Sequence, residues 1–219
     1  SGLEEIIVTA RKREENIQDV AIAVTALSQT EIDRTFARPK SFFGAGCVAH
    51  VGFADPFCPV LSRLLSDVGE SLMPEGRTLH RGGTYLCMEG PAFSTRAESE
   101  LYRSWGCSVI GMTNHTEARL AREAEIAYST LAMATDYDCW HEGHDDVTVD
   151  AILEVMSRNV GHAREAVRLA APKVAALGPC ACHSALQGAI LTAPDAISEA
   201  ARLRVGLLLG RTLESGGGS

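Results

Sequence analysis

No apolar run in this chain approaches the ~20 residues needed to cross a bilayer, and no secretory-type segment opens it. The sequence therefore predicts no membrane partner and a cytoplasmic location. An excess of basic residues is also missing. The formal charge of −8 argues against a nucleic-acid backbone as the main partner. A regular cysteine framework is the third absence. Seven cysteines at irregular intervals leave an odd thiol and do not resemble a disulfide scaffold, which again favours a reducing compartment.

What is present is enough apolar material to fold. With 46% hydrophobic and 22% charged residues in 219, the chain can bury a sizeable core as one large or two small domains. The only close cysteine pair is Cys180-Ala181-Cys182, followed by His183. A metal reading lacks a matching second pair of ligands, so no metal is expected. A strained local disulfide is conceivable under oxidising conditions, and buried or idle thiols are the default.

Taken in order, the chain changes character near residue 30. Residues 3–29 hold two β-like runs, 6–9 and 20–25, around a charged patch. Residues 32–58 look loop-rich, with Pro39, Gly44, Gly46, Gly52 and Pro56 as breakers. Leu61, Leu64, Leu65 and Val68 then follow Pro59 at helical spacing. Strands are expected over 84–88 and 108–112, each followed by a helix (96–105 and 117–125), and a third strand at the start of 130–140. A long amphipathic helix is expected over 149–176 and a last helix from Thr192-Ala193-Pro194 to about 209. Residues 213–219, rich in glycine and serine, read as a flexible linker or tag. Strands alternating with helices predict an α/β class with a mostly parallel sheet flanked by helices.

The stretch TLAMATDYDCW (130–140) organises the candidate chemistry. On a strand, Asp136 and Asp138 at i and i+2 face the same way. Two acids past the end of a buried strand stand where open α/β sheets place ligands. They could accept the amino hydrogens of a purine and give a proton to a ring nitrogen. They could equally begin a solvated turn. Phe93 and Ser94, with Thr95 at a helix start, could stack a base and bind an anion on backbone N–H groups; alternatively, Ser94 or Thr95 merely caps the helix. A small polar loop containing Met112 and Thr113 precedes the next helix in the same way.

Two resemblances sharpen this reading. Residues 3–29 are similar to the start of the plug domain of TonB-dependent outer-membrane receptors, through EIIVTARKREEN and AVTALS. No further plug or barrel sequence follows, so residues 1–30 are expected to be a foreign or fused leader. From residue 31 to about 210, six segments in order resemble the nucleoside phosphorylase family, and within it the S-methyl-5'-thioadenosine phosphorylases: IDRTFARPKSFF, HVGFADPFCP, MEGPAFSTRAES, WGCSVIGMTN, LAREAEIAY and MATDYDCWHE. Residues 31–212 are thus expected to be the C-terminal part of such a domain, truncated at its N-terminal half.

The resemblance implies an enzyme that cleaves 5'-methylthioadenosine with phosphate, giving adenine and 5-methylthioribose 1-phosphate. It implies no cofactor beyond phosphate as co-substrate, and a homotrimer. Phe93 would stack on the purine and the Met112 backbone would contact the ribose hydroxyls. Ser94 and Thr113 would bind phosphate, and Asp136 and Asp138 would bind N7 and the 6-amino group. His50, Val149 and Ile152 would line the 5'-alkylthio pocket, with His50 reaching in from a neighbouring subunit. The family's Gly-rich phosphate loop and Arg-His-Gly segment find no counterpart before Ile32. A non-catalytic chimera or assembly scaffold built on a phosphorylase fragment is therefore the competing reading.

Overall fold

The computed structural model describes residues 7–8, 15–16, 41–73, 78–141 and 149–215, the side chains of 7–8, 15–16, 149–154 and 211–215 excepted. Its first strands, β1 (Ile7–Val8) and β2 (Glu15–Asn16), form a two-residue antiparallel pair. β1 lies in the first expected run. β2 falls in the charged patch, and the expected run at 20–25 lies outside the described residues.

Helix α1 (Pro59–Ser71) begins where proline costs no hydrogen bond, with Cys58 as its N-cap. Its apolar stripe places Val68 against Ala166 and Ala170 of α4 (Val149–Ala175), with Leu64, Leu65 and Leu131 beside them. Two alanines, Ala166 and Ala170, form the buried α4 side of that contact. Pro172, three residues before the end of α4, cannot donate to the carbonyl four residues back, so the ladder loses one bond there.

Between these helices come two strand–helix units. β3 (Tyr85–Cys87) pairs in parallel with β4 (Val109–Gly111), in the register Tyr85 to Val109, Leu86 to Ile110 and Cys87 to Gly111. α2 (Arg96–Ser104) follows β3, and Gly106 beyond it adopts φ +76°, which glycine accepts without cost. α3 (Asn114–Glu123) follows β4. This alternation was predicted.

The third strand was not found. Residues 126–135 carry no ladder assignment, and the described sheet that includes β3 and β4 has only those two strands. An extended segment becomes a strand only when a neighbour takes its backbone groups. Here side chains hold it instead. The Tyr128 hydroxyl has acceptors at 2.8 Å in both Asn114 Oδ1 and Glu117 Oε2, and the Thr130 hydroxyl donates to Asn114 Oδ1 at 2.7 Å.

The last helix also differs from expectation. Pro194–Ala196 forms only a 3₁₀ turn, and α5 (Glu199–Ser215) begins after the extended Ile197. Ser198 caps α5: its Oγ accepts from Ala201 N at 3.2 Å, and its carbonyl from Arg202 N at 2.9 Å. Ala201, Val205 and Leu209, four residues apart, bury one stripe of α5 against Phe43, Cys47, Leu186 and Ile197. Arg204 of α5 also donates to the carbonyls of Phe42 at 3.3 Å and Ala45 at 3.0 Å.

Two consequences can be checked. Gly46 has φ +84°, and a Cβ there would collide with the Ser198 side chain and press on Ala201. Gly46→Ala is expected to cost about 1–3 kcal/mol in urea unfolding, combining left-handed strain with overpacking. Burial pushes the Tyr128 phenol up to about 12, the Thr130 hydroxyl working against that and the Glu117 carboxylate adding to it. A folded-state value above the unfolded one (about 10) means stability held below pH ~10 and lost as pH rises towards 12. Tyr128→Phe should flatten that alkaline loss in urea midpoints measured across the same range.

Candidate functional site

Parallel pairing sends both strands out at the same end, so the loops after β3 and β4 emerge side by side. The Met88 amide donates to the Gly111 carbonyl at 2.9 Å, extending the ladder one step towards these loops. The first loop carries Phe93 and Ser94, the second Met112 and Thr113.

The two helix starts differ. Thr95 caps α2 in a reciprocal box: Glu98 N donates to Thr95 Oγ1 at 3.3 Å, and Thr95 N donates to Glu98 Oε2 at 2.7 Å. The Thr95 amide and hydroxyl hold the Glu98 carboxyl below its usual range. That helix start already has its anion, so of the two residues considered as cap, Thr95 takes the role. Ser94 is left with only a long contact from its hydroxyl to Met88 Sδ at 3.7 Å. Thr113 is the N-cap of α3, makes no side-chain cap hydrogen bond and is exposed. Apart from the His115 amide, which donates to Cys87 Sγ at 3.4 Å, the α3 start has no side-chain cap and is the better equipped of the two for an external anion.

The third wall is the segment 134–141. Asn159 Nδ2 of α4 donates to the Ala134 carbonyl at 3.0 Å. The Ser99 hydroxyl of α2 donates to Asp138 Oδ2 at 2.6 Å, and Arg103, one turn further along α2, lies 3.6 Å over the Trp140 ring. Cys139 Sγ reaches the Ser94 carbonyl at 3.5 Å, closing the segment against the first loop. Tyr137 stacks on His141 with ring centroids 4.5 Å apart. Asp138 is thus fixed, and half-buried. Asp136 is exposed and accepts from the hydroxyl of Thr135, its own neighbour. The two acids share a loop but not an environment, and neither sits in a dry pocket. This corrects the strand-based expectation, because without a ladder nothing enforces alternation of faces.

Phe93, 85% exposed, presents an open ring face beside Ser94. Met112 is half-buried behind Thr113. Phe93, Ser94, Met112, Thr113, Asp136 and Asp138 therefore belong to one end of the sheet. His50 does not join them. Its amide donates to the Ala189 carbonyl at 2.8 Å, its side chain is exposed, and no described contact links it to the aspartate loop. Val149 and Ile152 lie in the first turns of α4, with their side chains outside the described residues. Sequence reasoning missed Ser99 and Arg103. The available signal was a small hydroxyl on the buried face of an otherwise charged helix, where a polar side chain needs a partner.

The model of the phosphorylase superfamily matches residues 12–171. The chain belongs to this superfamily. It is 60% identical over 177 residues to the S-methyl-5'-thioadenosine phosphorylase of Prochlorococcus marinus, an overlap of 80% of this chain and 56% of that protein. Among solved structures it is similar to a methylthioadenosine phosphorylase from an Antarctic soil metagenomic library, with a TM-score of 0.74 and 42% identity, covering 78% of this chain and 60% of that one. It is also similar to the Schistosoma mansoni methylthioadenosine phosphorylase solved with adenine, with a TM-score of 0.56 and 30% identity, covering 65% and 55%. The chain thus spans little more than half the length of these phosphorylases. The fold is that of the superfamily, represented in the described residues by helices around a small parallel sheet.

The hydrogen bond from Ser99 is the most direct restraint on Asp138. A hydrogen bond to a charged acceptor contributes about 1.5–3 kcal/mol. In Ser99→Ala, the amides of residues 137–141 should exchange with solvent about ten- to a hundredfold faster, while those of α1 and α5 keep their rates.

Proposed function

We propose that this chain carries the base-binding half of a 5'-methylthioadenosine phosphorylase. The observation that supports this most is the held Asp138, with Asp136 beside it and Ser94 closed against the same segment by Cys139. In this reading the Asp136 and Asp138 carboxylates engage N7 and the 6-amino group of adenine. Phe93 stacks on the base, and the Met112 backbone meets the ribose hydroxyls. Ser94 and the uncapped start of α3, through Thr113, bind phosphate. His50 of a neighbouring subunit, with Val149 and Ile152, lines the 5'-alkylthio pocket of a homotrimer. The unit occupies residues 31–212 and works in the cytoplasm, with 1–30 as a leader and 213–219 as a linker.

Cleavage of the glycosidic bond leaves positive character on the anomeric carbon and negative character on the departing purine. Phosphate oxygen forms the new bond to that carbon from the opposite face, and the base leaves as adenine with a proton at N7. An aspartic acid that gives or shares this proton lowers the barrier by general acid catalysis. Pairing one fixed acid with one freer acid suits the division of labour: Asp138 orients, while Asp136 follows the proton. The Schistosoma mansoni relative was solved with adenine, which makes adenine the base to test first.

A second reading, a non-catalytic assembly scaffold, is favoured by Leu203 and Leu207. They lie on the face of α5 opposite its buried stripe, at 83% and 93% exposure. Such a chain would associate regardless of nucleoside.

The discriminating measurement is melting with 5'-methylthioadenosine, with and without phosphate, followed by an adenine-release assay. The proposal expects an upward shift with nucleoside, a further shift with phosphate, and release only when phosphate is present. Asp136→Asn should cut that release by about 10²–10⁴-fold. A cooperatively folded sample that shows neither shift nor release, yet sediments as an oligomer, supports the scaffold instead.

A further inference from the structure

Cys180 and Cys182, two residues apart, meet a third cysteine, Cys58, from more than a hundred residues earlier in the chain. The sulfurs of Cys58, Cys180 and Cys182 all lie within 4.8 Å of one another, and those of Cys58 and Cys180 share a hydrogen bond at 3.7 Å across 122 residues. All three are free thiols, with Cys58 and Cys182 buried and Cys180 half-buried. We propose that this cluster is a three-thiolate binding site for a thiophilic d¹⁰ cation of the zinc type, with an exogenous molecule as fourth ligand.

The spacing suits the ion. Tetrahedral zinc with bonds of about 2.3 Å to sulfur needs sulfurs about 3.8 Å apart, so the observed trio requires only small side-chain adjustments. The sulfurs are also held in advance. Cys58 is the N-cap of α1, and its amide donates to the Tyr128 carbonyl at 2.7 Å. Cys180 is fixed through its backbone, its carbonyl accepting from the His183 amide at 3.0 Å and its amide donating to His183 Nδ1 at 3.2 Å. Cys182 stands within the same short 3₁₀ turn, Ala181–Ser184.

Three thiolates and one divalent cation leave a single negative charge. Cys58 stands at the N-terminal end of the 13-residue α1, where the helix dipole favours a negative charge. On binding, the thiols release their protons to solvent and three sulfur–metal bonds form, with no change of oxidation state. The half-buried Cys180 marks the side from which the ion enters and where a water or small thiol completes the tetrahedron. A bound ion would tie the loop before α1 to the turn after α4.

The test uses the full chain, reduced, stripped with chelator and titrated anaerobically with Co²⁺. The expected result is a near-ultraviolet sulfur-to-cobalt charge-transfer band that saturates at one ion per chain and is discharged by Zn²⁺. Zn²⁺ should also raise the melting midpoint and protect Cys58, Cys180 and Cys182 from alkylation, while Cys107 and Cys139 remain reactive. Cys180→Ser should weaken cobalt binding by more than the ~10–100-fold that loss of an outer-shell partner costs, and Cys107→Ser should leave it unchanged. The proposal is overturned by reduced wild type that takes up no cobalt, by alkylation unaffected by Zn²⁺, or by equally tight binding in Cys180→Ser. It is equally overturned if two of the three thiols remain joined as a disulfide under the reducing conditions. The alkylation readout needs no substitution, so a variant that fails to fold does not obscure the outcome.

Discussion

Three charged residues within four positions, Arg122, Glu123 and Glu125, hold the rest of the described structure in place. The Arg122 guanidinium gathers the carbonyls of Gly52 at 3.1 Å, Asp55 at 2.6 Å and Pro56 at 3.4 Å. Glu123 accepts from the Phe42 amide at 2.7 Å, and Glu125 from the Leu186 amide at 3.0 Å. Each contact replaces a backbone partner that an irregular segment does not supply for itself. Burial makes them demanding, because an amide such as that of the fully buried Leu186 has no water to fall back on. The backbone bends sharply for this purpose, with Glu125 at φ +57°. Such a conformation persists in a non-glycine residue only when its surroundings enforce it.

That anchor organises two packed regions around one segment. On one side, Phe43 and Cys47 join the α5 stripe and Leu186. On the other, α1 lies on α4, with Leu131 inserted at the edge. The chain between Tyr128 and Trp140 runs from the anchor to the candidate base site without ever becoming a strand. It is held residue by residue, through Asn114, Asn159, Ser99 and Arg103. A site built this way depends on side-chain hydrogen bonds rather than a ladder, so its precision rests on a few individual groups.

Helices were legible in the sequence because their signals are local. Proline at the first turn of α1, the Thr95–Glu98 box of α2 and the glycine after it are all read from neighbouring residues. The β3–β4 pair was legible for the same reason, each run being apolar and bounded by breakers. The third run failed because an apolar stretch describes a segment suited to a strand, and pairing depends on a neighbour. The start of α5 failed on a smaller scale: Pro194 nucleated a 3₁₀ turn, and the true cap, Ser198, was passed over. Of the candidate site, the loop positions of Phe93, Ser94, Met112 and Thr113 were readable from their place after strands. The supporting Ser99 and Arg103 were not, because their partners lie about forty residues away.

By itself, then, the sequence determined family membership, the helices and the loops that bear the chemistry, since motif order and local propensity are written along the chain. Tertiary structure alone decided which acid is held and which is free, because Ser99 reaches Asp138 only once α2 packs beside the loop. It also decided the fate of the cysteines. Cys180 and Cys182 look like an incomplete pair in sequence, and the third sulfur arrives from Cys58 only when the turn after α4 folds back onto the start of α1. Short-range order follows from backbone sterics and capping, whereas convergence of distant side chains is a property of packing.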